Sequence, residues 1–337
     1  MGPRIIGGKD SAARKTPAGL TPEPVVRHVV VGEDGDGQRL DNYLVKVLKG
    51  VPKAHVYRII RSGEVRVNKS RAAADTRLAL GDTVRVPPVR TSAAAESAPS
   101  APAREFPTLF EDEFLIALNK PAGVAVHGGS GVSFGVIEQL RRARPQAKFL
   151  ELVHRLDKET SGLLLVAKKR SALTDLQDQF RSRETGKTYS ALVIGGWSAQ
   201  HKVIDVPLHR FLTSEGERRV RTVGEDAEEG RRSITLVKLV RRYADFSLLD
   251  VTIKTGRTHQ IRVHLAHEGH PIVGDEKYGD FALNKALARG DAAPGARFDR
   301  MFLHARRLRF THPASKTVME LEAPLPAECL AFLKALA

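Results

Sequence analysis

The sequence predicts an α+β protein with a mixed, largely antiparallel sheet, preceded by a small basic module of helices. Segments with strand periodicity follow one another in the second half of the chain, with helices inserted rather than in strict alternation. An alanine-, serine- and proline-rich stretch without periodicity, residues 91–106, separates the two parts and is typical of a linker. With 337 residues, of which 42% are apolar, the chain is long enough for two domains.

The charge balance indicates a polyanionic partner. A net charge of +15 favours nucleic acid over an anionic membrane, although a solvated basic surface would give the same total. Cys329 is the sole cysteine, so neither an intrachain disulfide nor a thiolate metal site can form, as suits a reducing cytoplasm. Since no segment approaches a signal peptide or a membrane span, we expect a cytoplasmic protein with no membrane partner.

We expect four segments along the chain. Residues 1–35 are expected to be a flexible tail, residues 36–90 a small module, residues 91–106 the linker and residues 107–337 a large domain. Both modules fall within the usual range of domain sizes.

The small module combines two amphipathic helices with short strands. In QRLDNYLVKVLKG the apolar residues recur at helical spacing up to Gly50, and in PKAHVYRIIRSG a second helix opens at Pro52 and ends at Gly63. EVRVN and GDTVRVPP alternate like strands. The basic side chains left outside are Lys53, Arg58, Arg61, Arg66, Lys69 and Arg71. A basic helix without acidic partners favours RNA binding, and the alternative is a helical cap that packs on the large domain.

The large domain begins with a strand in FLIALN, turns at residues 121–123 and continues into a helix that ends before Pro145. GLLLVAKK is predicted as a buried strand, and SALTDLQDQFRSRE as an amphipathic helix capped by Ser171. Further strands are predicted in KTYSALVIGGW, SITLVKLVRRY, FSLLDVTIKTG and MFLHARRLRFTHP.

Asp157 is the first candidate for chemistry. It lies in LVHRLDKETSG, next to cations and directly ahead of the buried strand, so its loop is rigid and reachable. A carboxylate beside Arg155 should stay ionised at neutral pH and needs no separate base to act as a nucleophile. The alternative is a structural bridge between an arginine and this aspartate.

A second polar cluster follows in TGRTHQIRVHLAHEGHP. Its glycine-led turn offers arginine, threonine, histidine and glutamine donors in a small space, which suits a polyanion or a base edge. A plain strand-to-helix connection with a solvated face is the alternative. His264, His267 and His270 lack the spacing of a zinc-binding helix, and residues 269–271 would break a helix there, so we predict no metal.

These stretches carry a family resemblance. HRLDKETSGLLLVAKK, KTYSALV and TGRTHQIRVH resemble the three signature stretches of the RluA-type pseudouridine synthases, and PAGVAVHGG, FGVIEQL and VGDEKYG also fit. RLDNYL and SGEVRVNK resemble the S4-type RNA-binding domain. From about Arg39 to the C-terminus, apart from the linker, the chain most resembles the RluC branch, which acts on large-subunit ribosomal RNA. The resemblance implies a pseudouridine synthase fold, and a helix pair that contacts structured RNA mostly through phosphates.

The resemblance also implies roles for individual residues. Asp157 would be the catalytic carboxylate, Tyr189 would stack on the target uracil, and Arg257 would pair with Asp157. Arg155 would insert into the RNA or hold the displaced base, and Ile261 would line the pocket. Neighbouring residues expected to contact the substrate are His154, Thr258 and Gln260. The S4-like module would contact RNA through Lys53, Arg58, Arg61, Arg66 and Lys69.

The implied reaction isomerises specific uridines to pseudouridine in 23S ribosomal RNA or its large-subunit precursor. It needs no cofactor and no metal, and the target base must be flipped out of its helix. Asp157 could add to the sugar or base, or abstract a proton from the sugar. We expect the protein to act as a monomer.

Other functions remain open at this point. The chain could act on another RNA within the same family, or be a non-catalytic RNA-binding factor for ribosome assembly. A hydrolase using Asp157 and Glu159 as a carboxylate pair is disfavoured, because residues two apart on an extended segment point to opposite faces.

Overall fold

A computed structural model describes residues 25–32, 35–48, 50–89, 101–129, 134–215, 217–291 and 297–337. The chain falls into two compact units that divide after residue 98. The first 24 residues of the predicted tail and residues 91–100 of the predicted linker lie outside the described residues.

The first unit contains both predicted helices and a small antiparallel sheet. The helices are α1 Leu40–Val47 and α2 Lys53–Arg61. The strands are β1 Arg27–Val30, β2 Arg66–Val67 and β3 Thr83–Val86, in the order β1-β3-β2. The two helices and the last two strands confirm the sequence prediction. The prediction of a flexible tail up to residue 35 is wrong for β1, because this strand pairs with β3, more than 50 residues further along the chain.

Burial in this unit separates the apolar core from the cations. Leu40, Leu44, Val56 and Ile59 are buried in one cluster, and each such side chain contributes about 1.5–3 kcal/mol of burial free energy. The basic side chains point away from it. Lys53, Arg58, Arg61 and Lys69 are exposed and Arg66 is half-buried.

The second unit combines one large sheet with five helices among the residues the structure describes. The helices are α3 Val136–Ala143, α4 Arg170–Ser182, α5 Gln260–His267, α6 Phe281–Arg289 and α7 Ala327–Ala335. The strands are β4 Thr108–Glu111, β5 Leu115–Lys120, β6 Glu151–Leu152, β7 Ser161–Ala167, β8 Gly186–Ile194, β9 Val203–Asp205, β10 Leu208–Leu212, β11 Arg218–Thr222, β12 Ile234–Arg242, β13 Phe246–Ile253, β14 Leu303–Thr311 and β15 Val318–Glu322.

The large sheet runs in the order β4-β5-β7-β14-β8-β13-β12-β9, with β15 beside β14 and β6 beside β7. Its strand pairs are antiparallel except for β7 with β14. The predicted α+β class with a largely antiparallel sheet is therefore confirmed. Strands β10 and β11 form a separate antiparallel hairpin.

Strand β7 anchors the loop that carries Asp157. All seven of its residues are buried. Leu163 and Leu165 pack on one face with α4, and Leu164 and Val166 on the other face with α3. Because both faces are covered, the strand reads as a continuous apolar run.

Two local predictions need correction. The residue that caps α4 is Lys169, and Ser171 lies inside the first turn, so the predicted serine cap is wrong. The helix starts two residues earlier because the chain turns directly out of β7. The end of the predicted linker is also structured, since Phe106 is buried.

None of the helices within the described ranges is long and apolar enough to cross a membrane.

Candidate active site

Asp157 lies in the tight loop between β6 and β7. Its backbone carbonyl accepts a hydrogen bond from the Thr160 N–H at 3.1 Å, and its side chain is 20% exposed. Gly162 follows at the start of β7 with a φ of +109°. A Cβ atom there would lie 2.3 Å from the Ala305 carbonyl oxygen, so only glycine lets β14 come this close to the loop.

Arg262 provides the guanidinium nearest to this carboxylate. Its Nη1 lies 3.5 Å from Asp157 Oδ2, while Nε and Nη2 donate to the two oxygens of Asp275 at 2.7 and 2.6 Å. Burial opposes the positive charge, but the hydrogen bonds that Arg262 donates to Asp275 and the charges of both carboxylates raise the pKa of Arg262 above its usual range. The buried arginine therefore stays charged beside Asp157.

The predicted partner of Asp157 is wrong. Arg257 forms no ion pair with Asp157, and its exposed side chain borders the cavity instead. Arg262 takes the place because it lies on α5, whose start points its side chain inward to meet Asp275. The catalytic role predicted for Arg257 stays a prediction.

His259 forms a second contact with Asp157. Its Nε2 lies 3.8 Å from Asp157 Oδ2, and its Nδ1 lies 2.8 Å from the hydroxyl of Tyr278. Burial, the largest influence, lowers the pKa of His259 below its usual range, so the imidazole is neutral at pH 7. The residue adopts a left-handed conformation with a φ of 54° as the N-cap of α5, which turns its ring toward the cavity.

One cavity brings most of the predicted site residues together. Tyr189 contributes from the central strand β8, where burial, and then the charge of Asp157, raise the pKa of its hydroxyl. The predicted residues that line this cavity are Arg155, Asp157, Tyr189, Arg257, Thr258, Gln260 and Ile261. Ile261, which was expected to line the substrate pocket, borders this cavity, and its contact with substrate stays a prediction.

His154 does not line the cavity. Its ring stacks on Phe180 with centroids 4.7 Å apart, and its Nε2 accepts a hydrogen bond from the Leu165 N–H at 3.1 Å. Burial lowers the pKa of His154 to about 4, so the ring is neutral. The prediction of a substrate contact is corrected to a packing role, because adjacent residues of an extended segment point to opposite sides.

Gln260 lines the cavity, but its amide is already engaged by protein. Nε2 donates to the Ile234 carbonyl and to Thr235 Oγ1, both at 3.0 Å. Oε1 accepts from Thr255 Oγ1 at 2.8 Å and from the Arg257 N–H at 3.1 Å. This amide has no free donor for a substrate, so its role is to fix the backbone of residue 257.

Lys120 is a residue that the sequence analysis missed. It is fully buried at the end of β5, and its Nζ donates to the carbonyls of Pro121, Val124 and Lys158 at 2.9, 2.8 and 3.0 Å. The last bond fixes the peptide that joins Lys158 to Glu159, in the loop of Asp157. Burial lowers the pKa of Lys120 to about 7.

Replacing Lys120 with methionine should lower both stability and activity. Three partly buried carbonyls would lose the donor that Lys120 provides, and leaving a buried acceptor unsatisfied costs about 1–3 kcal/mol. The pKa of Lys120 is 10.5 in the unfolded chain and about 7 in the folded protein, so between these pH values its amine holds a proton only in the unfolded chain. The free energy of unfolding of the wild type should therefore rise with pH in this range. The K120M variant should lack this rise. Urea unfolding at several pH values measures both effects. Lys285→Met, at an exposed position of α6, is the matched control, and equal losses in the two variants would contradict the role of Lys120.

A wider cavity opens beside the first and shares Arg155, Asp157 and Arg262 with it. Its volume is about 630 Å³, within the roughly 300–1,000 Å³ typical of ligand sites. Glu159 also borders it. The expectation that Asp157 and Glu159 face opposite sides is therefore wrong, because residues 158 and 159 form a turn rather than an extended segment.

The three histidines considered as metal ligands contact protein groups instead, and His267 Nδ1 lies 3.3 Å from Thr222 Oγ1. His264 lies 2.8 Å from Thr235 Oγ1 and 3.0 Å from the Val206 carbonyl, and His270 lies 2.8 Å from the Ile194 carbonyl. Across the ranges that the structure describes, no group of histidine, cysteine and acidic residues is arranged to hold a metal ion.

The protein is thus basic, and its site lies around a carboxylate. The wider of the two adjoining cavities is large enough for a nucleotide. Residues 114–267 match the family of RNA pseudouridylate synthases, and residues 38–84 match the S4 domain. The chain is 49% identical over 310 residues to ribosomal large subunit pseudouridine synthase C of Escherichia coli K12, covering 90% of this chain and 95% of that protein. A relative of the same name from Pasteurella multocida is 49% identical over 317 residues, covering 92% and 94%. The chain therefore belongs to the RNA pseudouridylate synthase family, as the sequence motifs predicted.

Solved structures agree with this assignment. Human RNA pseudouridylate synthase domain containing 4 superposes with a TM-score of 0.56 at 27% identity, covering 68% of this chain and 92% of that one. Human RNA pseudouridylate synthase domain containing 1 gives a TM-score of 0.54 at 28% identity, covering 66% and 84%.

Proposed function

We propose that this protein converts specific uridines of large-subunit (23S) ribosomal RNA to pseudouridine, with Asp157 as the catalytic carboxylate. The single observation that carries the proposal is the cavity that groups Asp157, Tyr189 and Ile261 with the charged Arg262. The near-full-length likeness to ribosomal large subunit pseudouridine synthases supports the choice of RNA. We further propose a cytoplasmic, monomeric enzyme that needs no cofactor.

The reaction breaks the bond between uracil N1 and the ribose C1′, forms a bond from C5 to C1′, and moves a proton from C5 while N1 gains one. Asp157 assists the first step, by adding to the sugar or base or by removing a proton from the sugar. Arg262 orients the carboxylate and balances its charge in a partly closed site, where charged hydrogen bonds are stronger than in water.

The target base reaches this site only when it is flipped out of its helix. Tyr189 offers an aromatic face at the cavity wall, and Arg155 is exposed at the mouth of both cavities, where it can fill the space that the base leaves. The S4 module adds phosphate contacts through Lys53, Arg58 and Arg61, which raise affinity without reading sequence.

Truncating the ring of Tyr189 should weaken substrate binding. Base stacking is worth about 1–3 kcal/mol, so Tyr189→Ala should raise KM by roughly 5- to 150-fold, whereas Tyr189→Phe keeps the ring and should keep KM. Steady-state kinetics on a ribosomal RNA fragment measures this, with thermal unfolding as a check on the fold. If Phe and Ala raise KM equally, stacking is not what Tyr189 provides.

Incubation of the purified protein with an unmodified large-subunit ribosomal RNA transcript tests the function. We expect pseudouridine at defined positions, with no added cofactor and no release of free uracil. Free uracil would instead favour hydrolysis by the Asp157 and Glu159 pair, which border the same wide cavity. Binding without either product would favour a non-catalytic assembly factor, and pseudouridine only in other RNAs would overturn the substrate.

A further inference from the structure

A basic groove adjoins the active cavity and shares with it the loop of residues 256–258. Gly256, Arg257 and Thr258 line both the active cavity and this groove. The other charged or polar side chains of the groove come from the β10–β11 hairpin and the segment after it: His209, Arg210, Glu229 and Arg231. Its volume is about 510 Å³, enough for a section of RNA backbone by the usual roughly 300–1,000 Å³ range of ligand sites.

The guanidinium groups of the groove arginines have no partner among the residues that the structure describes. Arg210, Arg231 and Arg257 are exposed, and none of their guanidinium groups forms an ion pair or hydrogen bond with any residue that the structure describes. Outside the groove, Arg232 pairs with Asp205 at 3.1 Å and Arg219 with Glu217 at 2.8 Å, whereas Arg221 lies over the ring of Phe211. The groove therefore offers three unpaired guanidinium groups next to the active cavity, and Glu229 is the acidic residue that lines it with them.

Rigid backbone supports each of the three arginines. Arg210 lies within strand β10. Arg231 exchanges two backbone hydrogen bonds with Leu208, at 2.9 and 3.0 Å, and the N–H of Arg257 is fixed by the buried Gln260. The fixed backbones set the point from which each side chain reaches into the groove, and the planar guanidinium group matches a pair of phosphodiester oxygens.

We propose that this groove binds the phosphodiester backbone of the substrate RNA next to the flipped uridine, with Arg210, Arg231 and Arg257 as its phosphate ligands. The inference rests on the proposed function, and it assigns to Arg257 a role in binding phosphate, since Arg257 forms no ion pair with Asp157. A phosphate on one side of residues 256–258 and the base on the other would hold the nucleotide across this loop. Phosphate contacts position the strand and act on binding rather than on the chemical step.

Arg231→Gln and Arg210→Gln test the inference, with Arg232→Gln as the matched control of equal charge change outside the groove. The probe is the shortest large-subunit ribosomal RNA fragment in which the wild-type protein forms pseudouridine. Each groove variant should raise the RNA dissociation constant and KM by roughly tenfold, as for the loss of one charged hydrogen bond. Each should also reduce the slope of log K against log salt by about 0.7 while kcat changes little. The R232Q variant should match the wild type.

A neutral linkage in the RNA locates the contact. Uncharged methylphosphonates are placed one at a time at the linkages beside the target uridine, each after a 2′-O-methyl nucleotide. At one position the methylphosphonate should weaken RNA binding by the wild-type protein. At the same position it should weaken binding by R231Q much less. Three results would each overturn the proposed phosphate site. R231Q and R210Q could keep the salt slope of the wild type, or lose no more affinity than R232Q. Alternatively, no methylphosphonate position could distinguish the wild type from R231Q. Failure of the wild-type protein to form pseudouridine in any fragment would instead overturn the proposed function.

Discussion

Replacing Asp157 with asparagine should abolish pseudouridine formation while leaving RNA binding and folding intact. The amide keeps the shape of the carboxylate but cannot act as a nucleophile or a base, and loss of such a group costs roughly 10⁴-fold or more in kcat. The fold should survive because Asp157 is one-fifth exposed and Arg262 keeps its hydrogen bonds to Asp275. Single-turnover assays with saturating enzyme measure the chemical step, and filter binding measures affinity.

Asp178→Asn is the control for this variant. Asp178 lies on the exposed surface of α4, paired with Arg181 and outside both cavities, so the same chemical change there should leave kcat unaltered. Retention of more than about a tenth of wild-type kcat by D157N would exclude this carboxylate from the chemical step, because a catalytic group contributes far more than tenfold.

Replacing Asp275 with alanine should cause the largest loss of stability. Asp275 is 1% exposed and holds Arg262 through two hydrogen bonds, at 2.6 and 2.7 Å. Removing it would leave a buried guanidinium without its main partner, which typically costs about 3–5 kcal/mol. Activity should fall as well, because Arg262 would no longer be fixed beside Asp157. Urea unfolding and single-turnover kinetics measure the two losses.

The stability that Asp275 contributes should depend on pH in one direction. Burial opposes its ionisation, but the hydrogen bonds and charge of Arg262 lower the pKa of Asp275 below its ordinary value of 3.8. The contribution is therefore present above that value and is lost as pH falls through the lower folded-state pKa. The difference in the free energy of unfolding between wild type and D275A should shrink in strong acid.

Asp280→Ala is the control for this variant. The Asp280 side chain accepts an N-cap hydrogen bond from the Leu283 N–H, so its loss should lower the free energy of unfolding by about 1 kcal/mol. A D275A loss as small as this would contradict the role of the buried pair.

The sequence predicted those parts of the fold and site that depend on local patterns. Strand β7 is a run of apolar residues bounded by turn residues. The loop before it carries Asp157 and is anchored by this buried strand. Tyr189 and Ile261 line the same cavity as Asp157, as the sequence predicted, because each belongs to a motif on a buried element.

The errors arose where a long-range partner decides the position of a side chain. Arg257 and Arg262 lie five residues apart in one motif, and only the buried Asp275, from a later turn, determines which of them faces Asp157. Lys120 would ordinarily be placed at the surface, and its burial depends on carbonyls as distant as that of Lys158. Strand β1 likewise exists because β3 offers it a free edge.

The most direct test of the central claim is a pseudouridine map of large-subunit ribosomal RNA from cells lacking this protein. We expect specific uridines to lose the modification, to regain it with the wild-type gene, and to stay unmodified with the D157N variant. An unchanged map, or one that D157N restores, would contradict the account.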